Sequence, residues 1–341
     1  MKVLIAGNRG YLGSVLQDVL TEAGHESVGL DTGYFDADPM QPRQDIRDVT
    51  AADLVGFDAV VNLAALCNDA CGELSATVTH EVNTDAAVLL ARLAKSLGIA
   101  RYVLASSCSV YGVAPGDDEL TESDPVAPET AYATSKVAAE RALFQLADRS
   151  FRPVALRFAT LFGDSPSFRS DLMINRIAVS AHRWNRINMN GDGKLWRPLL
   201  HVRDAARAIV TVLEADGPAV AKRVFNVGFP EHNHQIADVV DMACSLVPGV
   251  SVTRTPAADS RSYAVCFDKF HETFPGFEPS CSVIGGLREV IDAYHRRLRL
   301  PLRAAGDGWA HTDRRERLLA MRAAGYLRED FRWRVPSLVV C

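Results

Sequence analysis

The chain of 341 residues lacks the features that mark membrane proteins and nucleic-acid-binding proteins. No apolar run reaches the roughly 18 residues that a membrane-spanning helix requires, and no secretory signal sequence is recognisable. The formal net charge is −5, so the molecule as a whole is not attracted to nucleic acid or to an anionic membrane. We therefore expect a cytoplasmic protein that binds neither nucleic acid nor membrane.

Cysteine is scarce and irregularly spaced, which argues against a metal site. The seven cysteines are an odd number and lack the paired spacing of zinc-binding motifs. Cys67 and Cys71 lie four residues apart, but no second pair or histidine group accompanies them. The sequence predicts reduced thiols, as in a cytoplasm, and no metal ion.

Apolar residues are plentiful: they make up 48% of the chain, which is enough to bury a full core. In the first half, short apolar segments alternate with helical patterns, as is typical of a parallel sheet with helices on both faces. The fold class is therefore α/β, with a Rossmann-type doubly wound parallel sheet and a smaller mixed α/β domain. The predicted strands are 3–6, 26–30, 59–63, 101–105 and 154–158.

The composition changes at about residue 165, where loops rich in Pro, Gly, Ser and Arg begin to separate short elements. We assign residues 1–164 mainly to the sheet domain. Residues 165–300 are assigned mainly to a substrate-binding domain, some strands of which return to the sheet. Residues 301–341 form a C-terminal extension that is rich in arginine, for which a solvated helix is the simplest interpretation.

A glycine-rich turn between the first strand and the first helix predicts a dinucleotide site. Its sequence is GNRGYLG at 7–13, and backbone amides at such a helix N-terminus bind a pyrophosphate. Asp31 ends the second strand, where a carboxylate accepts hydrogen bonds from an adenosine ribose and repels a 2′-phosphate. Asp31 favours NAD over NADP, whereas Arg9 would suit a 2′-phosphate. The predicted contacts are Gly7, Arg9, Gly10, Tyr11, Leu12, Gly13, Asp31, Asp45, Ile46, Leu63, Ala64 and Ala65.

The candidate catalytic residues are Ser107, Tyr132 and Lys136. The tyrosine and the lysine are four residues apart on a predicted helix, so both side chains project from one face. The lysine ammonium can lower the pKa of the phenol and so allow acid/base work near neutral pH. Ser107 follows a buried strand, at the edge where doubly wound sheets bind ligands. Tyr132 and Lys136 are also expected to contact the nicotinamide end of the cofactor.

In their order and spacing, these motifs resemble the extended short-chain dehydrogenase/reductase family, and within it the nucleotide-sugar epimerases and dehydratases such as UDP-galactose 4-epimerase. The resemblance covers about residues 1–295 and includes Asp31 and Asn83. The matching segments are GNRGYLG at 7–13, DI at 45–46, NLAA at 62–65, SSCSVYG at 106–112, YATSK at 132–136, LRFATLFG at 156–163 and GDGKLWRPLLHVRD at 191–204.

The resemblance implies bound NAD or NADP, the triad of Ser107, Tyr132 and Lys136, and a sugar nucleotide as substrate. It also implies a homodimer packed through the helices at 85–97 and 132–146. Arg197 and Arg261 match arginines that bind the substrate phosphates in related epimerases, and Asn175 resembles another phosphate contact. The predicted substrate contacts are Ser107, Cys108, Ser109, Thr160, Asn175, Arg197 and Arg261.

Two departures from the family pattern bear on the reaction. In 4,6-dehydratases, acidic residues follow the catalytic Ser or Thr, but here Cys108 and Ser109 stand in their place. Without a carboxylate, an elimination loses its acid/base partner. A thiol beside an apolar strand is usually inert, although proton transfer by Cys108 stays open. Thr160 replaces the asparagine of many 4-epimerases, which leaves the placement of the sugar open.

The leading hypothesis is an NAD-dependent nucleotide-sugar epimerase that inverts a sugar carbon through a transient ketone, with Tyr132 as the base. The alternative is an NAD(P)H-dependent 4-ketoreductase of a 4-keto-6-deoxy sugar nucleotide, which Arg9 would suit. A sugar-nucleotide dehydratase comes third. A non-catalytic dinucleotide sensor is disfavoured because serine, tyrosine and lysine are all present. The base, the sugar and the inverted carbon are not assigned by the sequence.

Overall fold

The computed structural model describes residues 1–35, 43–113, 119–256, 261–299 and 312–334. The strands in these ranges are β1 (Lys2–Ala6), β2 (Glu26–Leu30), β3 (Ala59–Asn62), β4 (Arg101–Ser107), β5 (Arg152–Phe158), β6 (Thr160–Phe162), β7 (Arg186–Asn190), β8 (Trp196–His201), β9 (Arg223–Val227), β10 (Asn233–Gln235) and β11 (Ser251–Thr255). The helices are α1 (Tyr11–Glu22), α2 (Asp69–Gly72), α3 (Ala76–His80), α4 (Ala86–Ser96), α5 (Ala131–Gln145), α6 (Met173–Trp184), α7 (Val202–Glu214), α8 (Gly217–Val220), α9 (Ile236–Leu246), α10 (Asp268–Thr273), α11 (Val283–Arg299) and α12 (Arg314–Ala323).

A six-stranded parallel sheet in the order β2-β1-β3-β4-β5-β9 forms the first domain. The chain passes from β1 outward to β2 and then returns to β3 on the other side of β1. The carboxyl ends of β1 and β3 therefore meet at a switch point, which is where doubly wound sheets bind ligands. The predicted Rossmann-type α/β fold is confirmed.

Apolar residues cover the sheet on both faces because side chains alternate along each strand. In β1, Val3 and Ile5 join the core beneath α1 and α7. Leu4 and Ala6 join the opposite core, beneath α4 and α5. The near-continuous apolar runs of the sequence follow from this burial on two faces.

The second domain contains a three-stranded sheet, β10-β8-β6, and a two-stranded sheet, β11-β7. Its core lies between α6, α9 and α11 and includes Ile174, Leu199 and Leu287, all fully buried. β9 follows α7 in the chain and pairs with β5 of the first domain, with Leu156 opposite Phe225. A strand from the later part of the chain thus completes the six-stranded sheet.

Residues 312–334 are not the solvated helix expected from the composition of the C-terminal extension. Leu318 and Met321 on α12 are buried, together with Leu327 and Phe331 after the helix. They pack against first-domain residues that include Tyr34. These apolar residues are few and lie among arginines, so the composition alone did not reveal that they are buried. Among the described residues, no helix is long and apolar enough to cross a membrane.

Candidate active site

A cleft of about 740 Å³ opens at the carboxyl ends of the first strands and continues into the second domain. It passes from the glycine turn, along α5, to the strands that carry Thr160 and Arg197. Most of the residues predicted from the sequence line it. These are Gly7, Gly10, Tyr11, Leu12, Gly13, Asp31, Asp45, Ile46, Leu63, Ala64, Ala65, Ser107, Ser109, Tyr132, Lys136, Thr160, Arg197 and Arg261.

The glycine turn can pack closely against the neighbouring backbone only because its glycines lack side chains. Gly7 has φ of +89°, and a Cβ there would lie 2.8 Å from the Ala64 nitrogen. A Cβ on Gly13 would lie 2.1 Å from the Gly7 carbonyl oxygen. Gly10 is the N-cap of α1, and no side chain caps that end of the helix. The first amides of α1 are thus available to an anion, as a dinucleotide site requires.

Asp31 is held at the end of β2 by backbone amides. Its carboxylate accepts hydrogen bonds from the nitrogens of Arg9, at 3.1 Å, and Gly33, at 2.8 Å. Burial raises the pKa of this carboxyl. The Arg9 side chain lies beside Gly33 and is not part of the cleft lining. The backbone of Arg9 therefore supports Asp31, and the role of its side chain as a cofactor contact stays a prediction.

Helix α5 presents Tyr132 and Lys136 to the cleft. Thr130 caps the helix by accepting a hydrogen bond from the Ala133 nitrogen. The Lys136 ammonium donates to the Ala105 carbonyl at 2.9 Å and lies 5.6 Å from the centre of the Tyr132 ring. The hydroxyl of Ser107, at the end of β4, hydrogen-bonds to Tyr132 and lowers the phenol pKa. The three predicted catalytic residues thus meet at one place.

The pKa of Tyr132 is nevertheless raised, contrary to the expectation that Lys136 would lower it. Burial is the largest cause, and Cys67 and Asp69 raise this pKa further, whereas Arg169 lowers it. Burial also lowers the pKa of Lys136 to about 8. Removal from water disfavours the charged form of both groups. In this cleft, desolvation outweighs the attraction that helical spacing alone suggests.

The second domain contributes cations to the opposite wall. Arg261 forms an ion pair with Asp69, with 2.5 Å between Nη1 and Oδ2. Arg197 donates to the carbonyl oxygens of Trp196, at 2.8 Å, and Arg261. Within the described residues, the hydroxyl of Ser109 has no hydrogen-bond partner although it is buried at the cleft. Unpaired polar groups of this kind are rare in folded proteins and are usually satisfied by bound water, an ion or a ligand.

Cys108 and Asn175 are not among the described residues that line the cleft, and their assignment as substrate contacts stays a prediction. Cys108 is 1% exposed, and its thiol donates to the carbonyl of Arg157. Burial raises the pKa of this thiol, so it is poorly suited to proton transfer. Asn175 is fully buried and donates to Tyr11 and Arg169. Both side chains stabilise the packing behind the cleft wall.

Sequence reasoning missed the loop after β3, which lies against Tyr132. Cys67 and Asp69 both line the cleft. Arg169 donates to the Cys67 sulfur at 2.8 Å and pairs with Asp171 at 2.5 Å. The sequence did contain an indication that this loop lines the site, because the loop follows the carboxyl end of a central parallel strand, where doubly wound sheets bind ligands. Among the described residues, no three His, Cys, Asp or Glu side chains are grouped to hold a metal ion.

Comparison with known proteins identifies the family. The model of the NAD dependent epimerase/dehydratase family matches residues 3–228. The chain belongs to this family. The resemblance seen in the motifs, the expectation of an enzyme and the expectation of NAD as its cofactor are thereby confirmed.

Individual family members are similar over most of the chain. A UDP-glucose 4-epimerase of Corynebacterium glutamicum is 31% identical in an alignment of 274 positions that covers 73% of this chain and 81% of that protein. The structure of MoeE5 in complex with UDP-glucuronic acid and NAD is 27% identical, with a TM-score of 0.76 over 87% of this chain and 100% of its own. The NDP-hexosamine 5,6-dehydratase TunA is 22% identical, with a TM-score of 0.76 over 87% of this chain and 98% of its own, and shares the fold.

Proposed function

We propose that the protein is a nucleotide-sugar epimerase that inverts one sugar carbon through a transient ketone while it retains NAD. The observation that carries this proposal is the meeting of Ser107, Tyr132 and Lys136 in a cleft without an acidic residue directly after the serine. The similarity to a UDP-glucose 4-epimerase at 31% identity supports it.

In this proposal, Ser107, Tyr132 and Lys136 each have a separate role in the reaction. NAD, when bound, supplies the hydride acceptor and returns the hydride. Ser107 hydrogen-bonds the reacting sugar hydroxyl, and Tyr132 takes its proton. Ser107 and Arg169 act against burial to lower the phenol pKa. Lys136, fixed by the Ala105 carbonyl, orients the ribose at the nicotinamide end.

The second domain holds the substrate diphosphate. Arg197 and Arg261 lie on the wall that faces α5, and guanidinium groups bind phosphate oxygens in a bidentate manner. A diphosphate competes with Asp69 for Arg261, because the two side chains are already paired. The unpartnered hydroxyl of Ser109 is placed to bind a sugar hydroxyl.

The two alternatives find less support. A reductase that consumes NADPH needs a site for the 2′-phosphate, but Asp31 lines that end of the cleft and the Arg9 side chain does not. A dehydratase needs an acid near the leaving hydroxyl, and the buried Cys108 with its raised pKa is a poor one. Likeness to TunA at 22% identity concerns the fold and not the reaction.

A panel of sugar nucleotides tests the proposal. UDP-, dTDP-, GDP- and CDP-hexoses are incubated with the protein without added reductant and followed by NMR. We expect one of them to give a C-epimer without net formation of NADH, and Tyr132→Phe to abolish that conversion. Oxidation of NADPH by a 4-keto sugar would establish the ketoreductase instead, and a keto product formed with release of water would establish the dehydratase.

We also propose that two copies associate through α4 and α5 in the cytoplasm. Leu89 on α4 and Leu97 just after it are 36% and 40% exposed, although both are apolar. Apolar surface of this kind favours burial against a partner. Sedimentation analysis of the protein and of Leu89→Glu checks the association, since the charged variant is expected to be monomeric.

A further inference from the structure

The C-terminal segment 312–334, here named the strap, borders the cofactor cleft. Leu318 of α12 and Phe331 line the cleft together with Asp31 and Ile46. An acidic residue at the end of the second strand marks the adenosine end of a dinucleotide site. The strap therefore borders the half of the cleft in which adenosine is expected.

Polar contacts fasten the strap to loops that also carry predicted cofactor residues. The Trp333 indole donates to the Thr32 carbonyl at 2.8 Å, directly after Asp31. The Tyr34 hydroxyl donates to the Phe331 carbonyl. Arg47, which pairs with Asp45, donates to the Asp330 carbonyl at 2.9 Å. Release of the strap would break these contacts and open the adenosine end to solvent.

Arg314, the first residue of α12, brings a positive charge into the cleft. It is 4% exposed, stacks on Phe35 at 3.8 Å and donates to Ser167 at 2.6 Å. Its pKa is lowered by burial, and by the charge of Arg169, to about 10. It is therefore still a cation at neutral pH.

Arg314 lies near the start of α1, because its partner Ser167 donates through its nitrogen to the Ser165 hydroxyl, which donates to the Tyr11 carbonyl. The carboxylates of Asp31 at the adenosine end and of Asp171 near Tyr132 attract Arg314, while Arg169 repels it. The pyrophosphate of a dinucleotide lies between these ends. Two guanidinium groups near each other in a cleft are stabilised by an anion between or beside them.

We propose that the strap is part of the cofactor site, that it encloses the adenosine half of bound NAD, and that the Arg314 guanidinium binds its pyrophosphate. This inference rests on the proposed function, because an epimerase regenerates its cofactor in every cycle and gains from retaining it. A reductase must exchange its cofactor after each turnover, which a closed strap would slow.

The exchange of bound cofactor tests the inference. The purified holoenzyme is mixed with isotopically labelled NAD⁺, and replacement of the bound cofactor is followed by mass spectrometry without any sugar present. We expect Arg314→Gln to exchange at least about tenfold faster, a difference of about 1.4 kcal/mol in the barrier or affinity. Arg315→Gln is the matched control, because that side chain is 47% exposed and pairs with Glu316. It should exchange at the wild-type rate.

A second variant keeps the test decisive if Arg314→Gln does not fold. Trp333→Phe removes the hydrogen bond to Thr32 but keeps an aromatic ring, and it should exchange several-fold faster than wild type. Exchange at the wild-type rate in every folded variant would overturn the inference. Faster exchange without epimerisation of any sugar would uphold the strap and refute the proposed reaction. Epimerisation with an unaltered rate of cofactor exchange would uphold the proposed reaction and refute the strap as part of the cofactor site.

Discussion

The N-cap of α5 offers a quantitative test of how the catalytic tyrosine is positioned. The Thr130 hydroxyl accepts from the Ala133 nitrogen at 3.1 Å and donates to the Asp69 carboxylate at 2.6 Å. Tyr132 is the second residue of this helix. Thr130→Val keeps the shape of the side chain and removes both hydrogen bonds.

The structure sets the expected size of the effect. Loss of an N-cap costs about 1 kcal/mol, and loss of a hydrogen bond to a charged group about 1.5 kcal/mol. Asp69 keeps its ion pair with Arg261, so its charge is not left alone. We expect the free energy of unfolding to fall by about 2 kcal/mol and, because small misplacements are costly, kcat to fall about tenfold with little change in KM.

Hydrogen exchange of the amides at 131–134 measures the loss of stability at the start of α5. Steady-state kinetics measure kcat and KM. Thr130→Ser is the control, since it retains the hydroxyl and should behave as wild type. Unaltered exchange and unaltered kcat in Thr130→Val would refute the view that this cap positions Tyr132.

Three further predictions concern the cofactor site and the buried lysine. Gly13→Ala places a Cβ against the Gly7 carbonyl, so the purified variant should contain less than about a tenth of the wild-type NAD; full NAD content would contradict the cradle described for the turn. Asp31→Asn removes the charge that repels a 2′-phosphate, so the ratio of NADP to NAD affinity, measured by titration calorimetry of cofactor-free protein, should rise at least about tenfold. The pKa of Lys136 is lowered to about 8, so between pH 8 and about 10 the unfolded chain binds a proton that the native protein has released, and this lysine contributes a gain in stability with rising pH of about 1 kcal/mol per pH unit, against the loss from buried thiols such as Cys108, whose pKa is raised. Lys136→Met should lack that gain in denaturant titrations, and an identical pH dependence in both proteins would contradict the burial of a lysine with a lowered pKa.

The central sheet was predictable from the sequence because its strands are buried on both faces. Segments such as 3–6 and 59–61 are apolar without interruption, and their pairing follows from the alternation with helices. The glycine turn and the spacing of Tyr132 and Lys136 are also local features. Local patterns of this kind predict the same local structure regardless of how the rest of the chain folds.

The features that sequence reasoning missed depend on contacts between distant residues. The strap is buried because Phe331 contacts Tyr34, which lies almost 300 residues earlier in the chain. No local sequence pattern predicts such a contact. The direction of the Tyr132 pKa depends on burial and on Cys67 and Asp69. Cys108 follows the catalytic serine directly in sequence, yet the turn after β4 directs its thiol toward Arg157 and away from the cleft.

The most direct test of the central claim follows one hydrogen atom. A sugar nucleotide that the protein epimerises is labelled with deuterium at the inverted carbon and converted in ordinary water. If the hydride passes to retained NAD and returns to the same carbon, the product keeps the deuterium in full. Loss of the label to solvent, measured by NMR and mass spectrometry, would contradict inversion by transient oxidation.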